Sequence, residues 1–207
     1  MTDTINPFAV APSLMKDWQR MSLAVASSLE TKLVLVEIRA SQINGCVNCL
    51  NLHTVFAREN GETEQRIYLL PAWREARCYT DRERAALGWT EALTRLSEGH
   101  THMAAYDALK AQFSEEEQVK LTLMINIING WNRLAVGFRL WADPAEVKAA
   151  AKAVSPDAGF RVRGRSGHIR SAASKAHAYR LPHARLRVGR RGYHAGGIHP
   201  MDARRSR

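Results

Sequence analysis

The stretch Thr31-Lys32-Leu33-Val34-Leu35-Val36-Glu37-Ile38-Arg39-Ala40-Ser41-Gln42-Ile43 decides the fold class. Its β-branched apolar cluster would permit a buried strand and so a mixed fold. Its length, and the charged pair Glu37 and Arg39 set inside it, predict a buried helix instead, which Asn44-Gly45 then breaks. Upstream, Leu14, Trp18, Met21, Val25 and Leu29 recur every three or four residues and predict one inward face of a first helix. Downstream, a helix from Cys46 to Glu59 stops at Asn60-Gly61, where glycine supplies a left-handed cap. A shorter helix from Glu62 to Leu70 ends at Pro71. Thr80 with Glu83, and Ser114 with Glu117, make capping boxes in front of the apolar positions Ala86, Leu87, Leu93 and Leu96, and Leu121, Met124, Ile125, Ile128, Trp131 and Ala135. Met103, Tyr106, Leu109 and Phe113 mark a further helix after the break at Gly99. No stretch sustains period-two alternation with hairpin chemistry, so the chain is predicted to be all-α.

The composition, 45% hydrophobic and 24% charged over 207 residues, is that of one globular domain with some length to spare. Apolar runs are all far shorter than the roughly 20 residues that cross a bilayer, and the N-terminal residues carry no basic segment followed by an apolar one. A cytoplasmic protein with no membrane span is therefore expected. The net charge of +10 is unevenly placed. From Glu146 to Arg207 there are 15 Lys and Arg against 3 Asp and Glu, whereas 1–145 holds 15 against 17. We therefore divide the chain into a helical domain, 1–145, and a basic tail, 146–207. The tail is rich in Arg, Ala and Gly and poor in core-forming residues, so it is expected to be disordered after about Ala153. It reads either as a basic arm for phosphate contacts or as an appendage of the kind a shifted reading frame in GC-rich DNA would give. The second is preferred, because no aromatic interleaving or known basic motif supports nucleic-acid binding.

Cys46 and Cys49 follow Gly45 directly, and His53 lies four residues beyond the second cysteine. At about 100° per residue the three side chains share one helix face, with both sulfurs in the first turn. A helix N-terminus favours thiolate over thiol, and a histidine one turn on can take or relay a proton. A redox-active dithiol is the preferred inference. Zinc with His100 or His102 would need a ligand spacing that fits no common finger, and a purely structural cysteine pair is the third alternative. A c-type haem is excluded because Leu50, and not a histidine, follows Cys49. Cys78 stands alone and is read as a bystander.

The run from Ala40 to His53, Ala-Ser-Gln-Ile-Asn-Gly-Cys-Val-Asn-Cys-Leu-Asn-Leu-His, resembles the carboxymuconolactone decarboxylase superfamily in its AhpD-like alkylhydroperoxidase branch. The likeness continues through Tyr68 to Glu75, Thr80 to Leu87 and Ile128 to Arg133, and covers about Leu14 to Leu140. It implies a helical bundle in which an antiparallel helix pair carries the site, and assembly into homo-oligomers such as trimers or hexamers. It further implies reduction of organic hydroperoxides with electrons from an external dithiol, and no metal or haem cofactor. Cys49 would be the attacking sulfur, Cys46 the resolving one and His53 the proton relay. In the family a glutamate twelve residues before the first cysteine commonly completes the relay, and here that position is Val34. Glu37, one turn further along, is the nearest acidic substitute unless it is a solvated surface residue. Asn48 is a second departure, since some members place a histidine there. These departures suggest the alternative of a weakened relative that acts as a redox-responsive or structural oligomer.

Overall fold

The computed structural model describes residues 4–29, 34–99 and 102–154. Within them the chain forms helices α1 (Pro7–Val10), α2 (Pro12–Ser27), α3 (Val34–Ile43), α4 (Val47–Glu59), α5 (Glu64–Leu69), α6 (Asp81–Thr94), α7 (Met103–Gln112), α8 (Glu115–Gly137) and α9 (Pro144–Val154), with no strand among the described residues. The all-α expectation therefore holds. The expected disorder of the tail concerns residues outside those described.

Helix α3 occupies the middle of the bundle and packs against α4, α6 and α8. Leu35, Val36, Ile38 and Ala40 are buried on different sides of it, together with Glu37 and Ser41. A helix covered all round carries no amphipathic stripe, which is why this segment could be mistaken for a strand. Both capping boxes form, with Thr80 and Ser114 each accepting from the backbone N–H three residues on. The inward residues of α8, from Leu121 to Ala135, are buried as the spacing predicts. Gly45 and Gly61 have φ values of +63° and +89°, the left-handed conformation that ends α3 and α4.

The buried face of α2 differs from the one read in the sequence. Val25 is buried as expected, but Leu14 and Met21 are exposed, and Met15, Ser22 and Ala26 are buried in their place. Two contacts with α8 account for the rotation. Trp131 Nε1 donates to Ser22 Oγ at 3.0 Å, and Gly130 lets the Trp18 ring lie where a Cβ would stand only 2.6 Å from it. A polar serine therefore faces inward while two larger apolar residues do not.

The helical unit also continues past residue 145, where the charge changes. Helix α9 lies against α4, and Val147 and Ala151 are buried in the cluster that holds Cys46, Cys49 and Leu52. Full burial of a side chain such as Val147 contributes about 1.5–3 kcal/mol, so the packed body reaches beyond the residue at which the charge changes.

A buried ionic knot joins α3 and α6 to the turn that follows α5. Glu91, on α6, accepts from Arg39 Nε at 2.7 Å, Trp73 Nε1 at 2.9 Å and Arg74 Nη1 at 2.5 Å. Burial alone would raise the Glu91 carboxyl, but the bonds from Trp73, Arg74 and Arg39 outweigh it and hold the group below the usual carboxylate range. A carboxyl depressed in the folded state contributes stability above its unfolded pKa of about 4.3 and loses it as pH falls through the folded value. Glu91→Ala leaves Arg39 buried without its partner and is expected to cost about 3–5 kcal/mol. Denaturant titrations at pH 7 and pH 3 should show that cost shrinking at the lower pH.

Candidate functional site

The turn between α3 and α4 is only Asn44 to Cys46, so the two helices form a hairpin. Cys46 N donates to Ser41 O at 3.0 Å, which ties the first cysteine back to α3. Cys46 is the N-cap of α4, and its sulfur accepts from Cys49 N at 3.3 Å. Sequence spacing put both sulfurs in the first turn; the structure gives one of them the capping role usually taken by Ser, Thr, Asp or Asn. Cys46, Cys49 and His53 are 1%, 3% and 4% exposed, so all three are shielded from bulk water.

Glu37 is buried as well, at 8% exposure, and its Oε2 lies 3.6 Å from His53 Nδ1. The surface alternative for this residue is thereby removed. The four residues singled out in the sequence, Cys46, Cys49, His53 and Glu37, are all buried in the α3–α4 hairpin, with Glu37 beside His53 and the His53 ring one turn along α4 from Cys49. Val34, at the start of the described part of α3, is one turn away from the carboxylate that stands beside the imidazole.

The surroundings move the two thiols in opposite directions. A hydrogen bond from Cys49, with backbone N–H groups of Cys49 and Asn48 and the Asn132 amide, lowers Cys46 in spite of its burial. Donating that hydrogen bond, and then burial and the charge on Cys46, push Cys49 far up. Of the pair, Cys46 is therefore the sulfur more easily ionised and Cys49 the one that holds its proton more tightly.

Asn48, the residue between the cysteines that departs from the histidine of some relatives, has a definite task. Its Oδ1 accepts from Ala142 N at 2.8 Å, and Asn51 Nδ2 donates to Ala142 O at 2.9 Å. The backbone of one residue in the α8–α9 connection is thus held on both sides by α4. Leu140, Val147 and Ala151 complete the apolar cover over the sulfurs.

The remaining sequence candidates lie elsewhere. Cys78 is exposed on the loop before α6, His102 is the N-cap residue of α7, and His100 is outside the described residues. Among the described residues no three His, Cys, Asp or Glu side chains are grouped to hold a metal ion, and no helix is long and apolar enough to cross a membrane.

Residues 12–92 match the model of the carboxymuconolactone decarboxylase family. An uncharacterized Bacillus subtilis (strain 168) protein, YdfG, is 38% identical over 138 residues, spanning 66% of this chain and 94% of that protein. The chain belongs to the carboxymuconolactone decarboxylase family, in its AhpD-like branch. A crystal structure from Agrobacterium tumefaciens, of a protein of unknown function described as a candidate antioxidant defence protein AhpD, superposes with a TM-score of 0.64 at 43% identity. It spans 67% of this chain and 96% of that one. An uncharacterized peroxidase-related protein from Silicibacter sp. TM1040 shares the fold at 20% identity, with a TM-score of 0.57 over 64% of this chain and 71% of that one. For an AhpD-like chain the matched region includes the whole α3–α4 hairpin.

Sequence reasoning missed two features of this AhpD-like site. Asn132, on α8, donates to Ser41 Oγ, the residue whose carbonyl receives the Cys46 N–H, and the segment from Leu140 to Ala151 packs in the same cluster as the sulfurs. The run Ile128 to Arg133 was part of the likeness, but spacing alone gave no reason to bring Asn132 to the cysteines.

Proposed function

We propose that this chain is a thiol-dependent peroxidase that reduces organic hydroperoxides through Cys46 and Cys49. The observation that carries the proposal is the buried His53–Glu37 pair one turn along α4 from a dithiol at that helix's N-terminus. Proton transfer across the hydrogen bond between the sulfurs turns Cys49 into the thiolate. It attacks the terminal peroxide oxygen, the O–O bond breaks, and Cys49 becomes a sulfenic acid. The departing alkoxide takes a proton from His53 and leaves as an alcohol. Cys46 then attacks the sulfenic sulfur, water leaves, and the two sulfurs are joined as a disulfide. An external dithiol returns two electrons and two protons. The buried Glu37 beside His53 supplies an acidic partner that Val34 cannot, which supports this reading over the weakened alternative.

With both sulfurs shielded, the peroxide group reaches them as the cover around Ala142 gives way. Exposed Val10, Leu14 and Val47 support association into a homo-oligomer. No cofactor is needed for these steps, and the cytoplasm, where thiols are kept reduced, suits them. In the test, reduced protein is treated with one equivalent of an alkyl hydroperoxide and mapped by mass spectrometry. A peptide pair joined through Cys46 and Cys49, released by a lipoyl dithiol with stoichiometric alcohol formed, is the expected result. Unmodified cysteines, or oxidation confined to Cys78, would sink the proposal.

A further inference from the structure

Cys46 and Cys49 are almost wholly buried, and the helices packed on α4 differ in how firmly they are held. Helices α3 and α8 each pack against several others, so neither leaves α4 without opening the whole bundle. Helix α9 packs chiefly on α4. Its inward residues Val147 and Ala151, with Leu140 before it, belong to the apolar cluster that contains both sulfurs. A peripheral helix with one main neighbour opens locally at a smaller free-energy cost than the body it rests on.

The segment that joins α8 to α9 has a strained end and a fastened end. Arg139, two residues past the end of α8 at Gly137, has a φ of +52° and is the sole non-glycine residue at positive φ among those described. A Cβ disfavours that left-handed conformation. The turn is closed by Leu140 N donating to Ala135 O at 2.9 Å. Three residues beyond Arg139, two side chains of α4 grip Ala142. Asn48 Oδ1 accepts from Ala142 N, and Asn51 Nδ2 donates to Ala142 O. Past this clasp, α9 is seated through Val147 and Ala151, with Asp143, Glu146 and Lys148 exposed.

We propose that residues 140–151 form a hinged lid over the dithiol, clasped at Ala142 by Asn48 and Asn51, whose departure admits reagents to Cys46 and Cys49. This rests on the dithiol reading of the site and deepens it, but its consequences are read on thiol labelling and amide exchange, not on peroxide turnover. A fixed channel sorts reagents by width. A lid that lifts from α4 admits narrow and broad ones by the same opening step, so hydroperoxides with bulky organic groups reach the sulfurs as readily as small ones.

The test uses the full, reduced chain with Cys78→Ser, so that only the pair is labelled. Labelling by iodoacetamide and by a bulky maleimide is compared with the rates in denaturant, amide exchange is followed by mass spectrometry, and folding is checked by circular dichroism. Relative to the unfolded chain, the two reagents are expected to be slowed by the same factor within about threefold, as one shared opening requires. Asn51→Ala removes half of the clasp without touching the residues between the cysteines. It should speed both thiol labelling and the exchange of the Ala142 and Val147 amides by about tenfold, the loss of one hydrogen bond. Arg139→Gly relieves the hinge and should slow both by about threefold. The buried Ile38 amide of α3 should keep its wild-type exchange in each variant. A maleimide slowed far more than iodoacetamide indicates a fixed channel and overturns the proposal. So does a folded Asn51→Ala chain whose thiols label at the wild-type rate. If Asn51→Ala does not fold, thiol labelling in Arg139→Gly that fails to slow overturns it. A chain that shows this behaviour in full yet consumes no hydroperoxide would defeat the proposed peroxidase and leave the lid standing.

Discussion

Cys49→Ser is expected to abolish hydroperoxide consumption in the presence of a dithiol donor, a loss of at least about 10³-fold, because a serine hydroxyl in this setting is neither ionised nor able to form the disulfide. Cys46→Ser should also stop turnover, but at a different step. Its Cys49 can still be oxidised once, leaving a sulfenic acid that a dimedone probe captures. The two variants therefore separate attack from resolution. The roles are exchanged if the more easily ionised sulfur, Cys46 at the N-cap of α4, attacks first. Sulfenic acid trapped at Cys46 in Cys49→Ser, with none at Cys49 in Cys46→Ser, would exchange the two roles. Equal turnover in the wild type and both variants would refute dithiol peroxidase chemistry.

Glu37→Gln is expected to slow turnover by ~10²–10⁴, the range for losing a positioned proton relay. The carboxylate lies 3.6 Å from His53 Nδ1; glutamine keeps the size of the side chain but removes its charge and its ability to stabilise a protonated imidazole. Placing a glutamate one turn earlier, Val34→Glu, should add little to the wild type because the position beside the imidazole is already filled. In the Glu37→Gln background the same change should recover part of the rate. Rates of single-turnover oxidation, measured by stopped flow, separate this from effects on re-reduction. A wild-type rate in Glu37→Gln would remove Glu37 from the relay. A large gain from Val34→Glu alone would show that Glu37 does not fill the role.

Much of the bundle could be read from local chemistry. The capping boxes at Thr80 and Ser114 mark helix starts because they describe contacts between residues three apart. The pair Glu37 and Arg39 tipped the ambiguous segment toward helix, and both have partners within the bundle, His53 and Glu91. What depends on contacts distant in sequence was harder to read. The rotation of α2 depends on Trp131 and Gly130 of α8, which periodicity within α2 cannot register. Helix α9 was hidden by averaging: Val147 and Ala151 pack on the body, but the count from 146 onward is dominated by the arginines that follow.

The site divides in the same manner. Spacing along α4 brings Cys46, Cys49 and His53 together without further information. Glu37 could be named only as the nearest acid, because its meeting with His53 depends on how α3 lies against α4. Asn132 had no local signal, since its place is set by Ser41 and Asn44 across the α3–α8 contact.

The Asn48 side chain imposes a choice on any lineage that carries this arrangement. As an asparagine it latches the Ala142 backbone and helps shut the sulfurs away; as a histidine it would bring a second proton carrier but could not offer the same amide oxygen to that backbone. Tighter closure and an extra acid–base group thus compete for a single codon. A family can diversify its reactivity there while leaving both cysteines untouched.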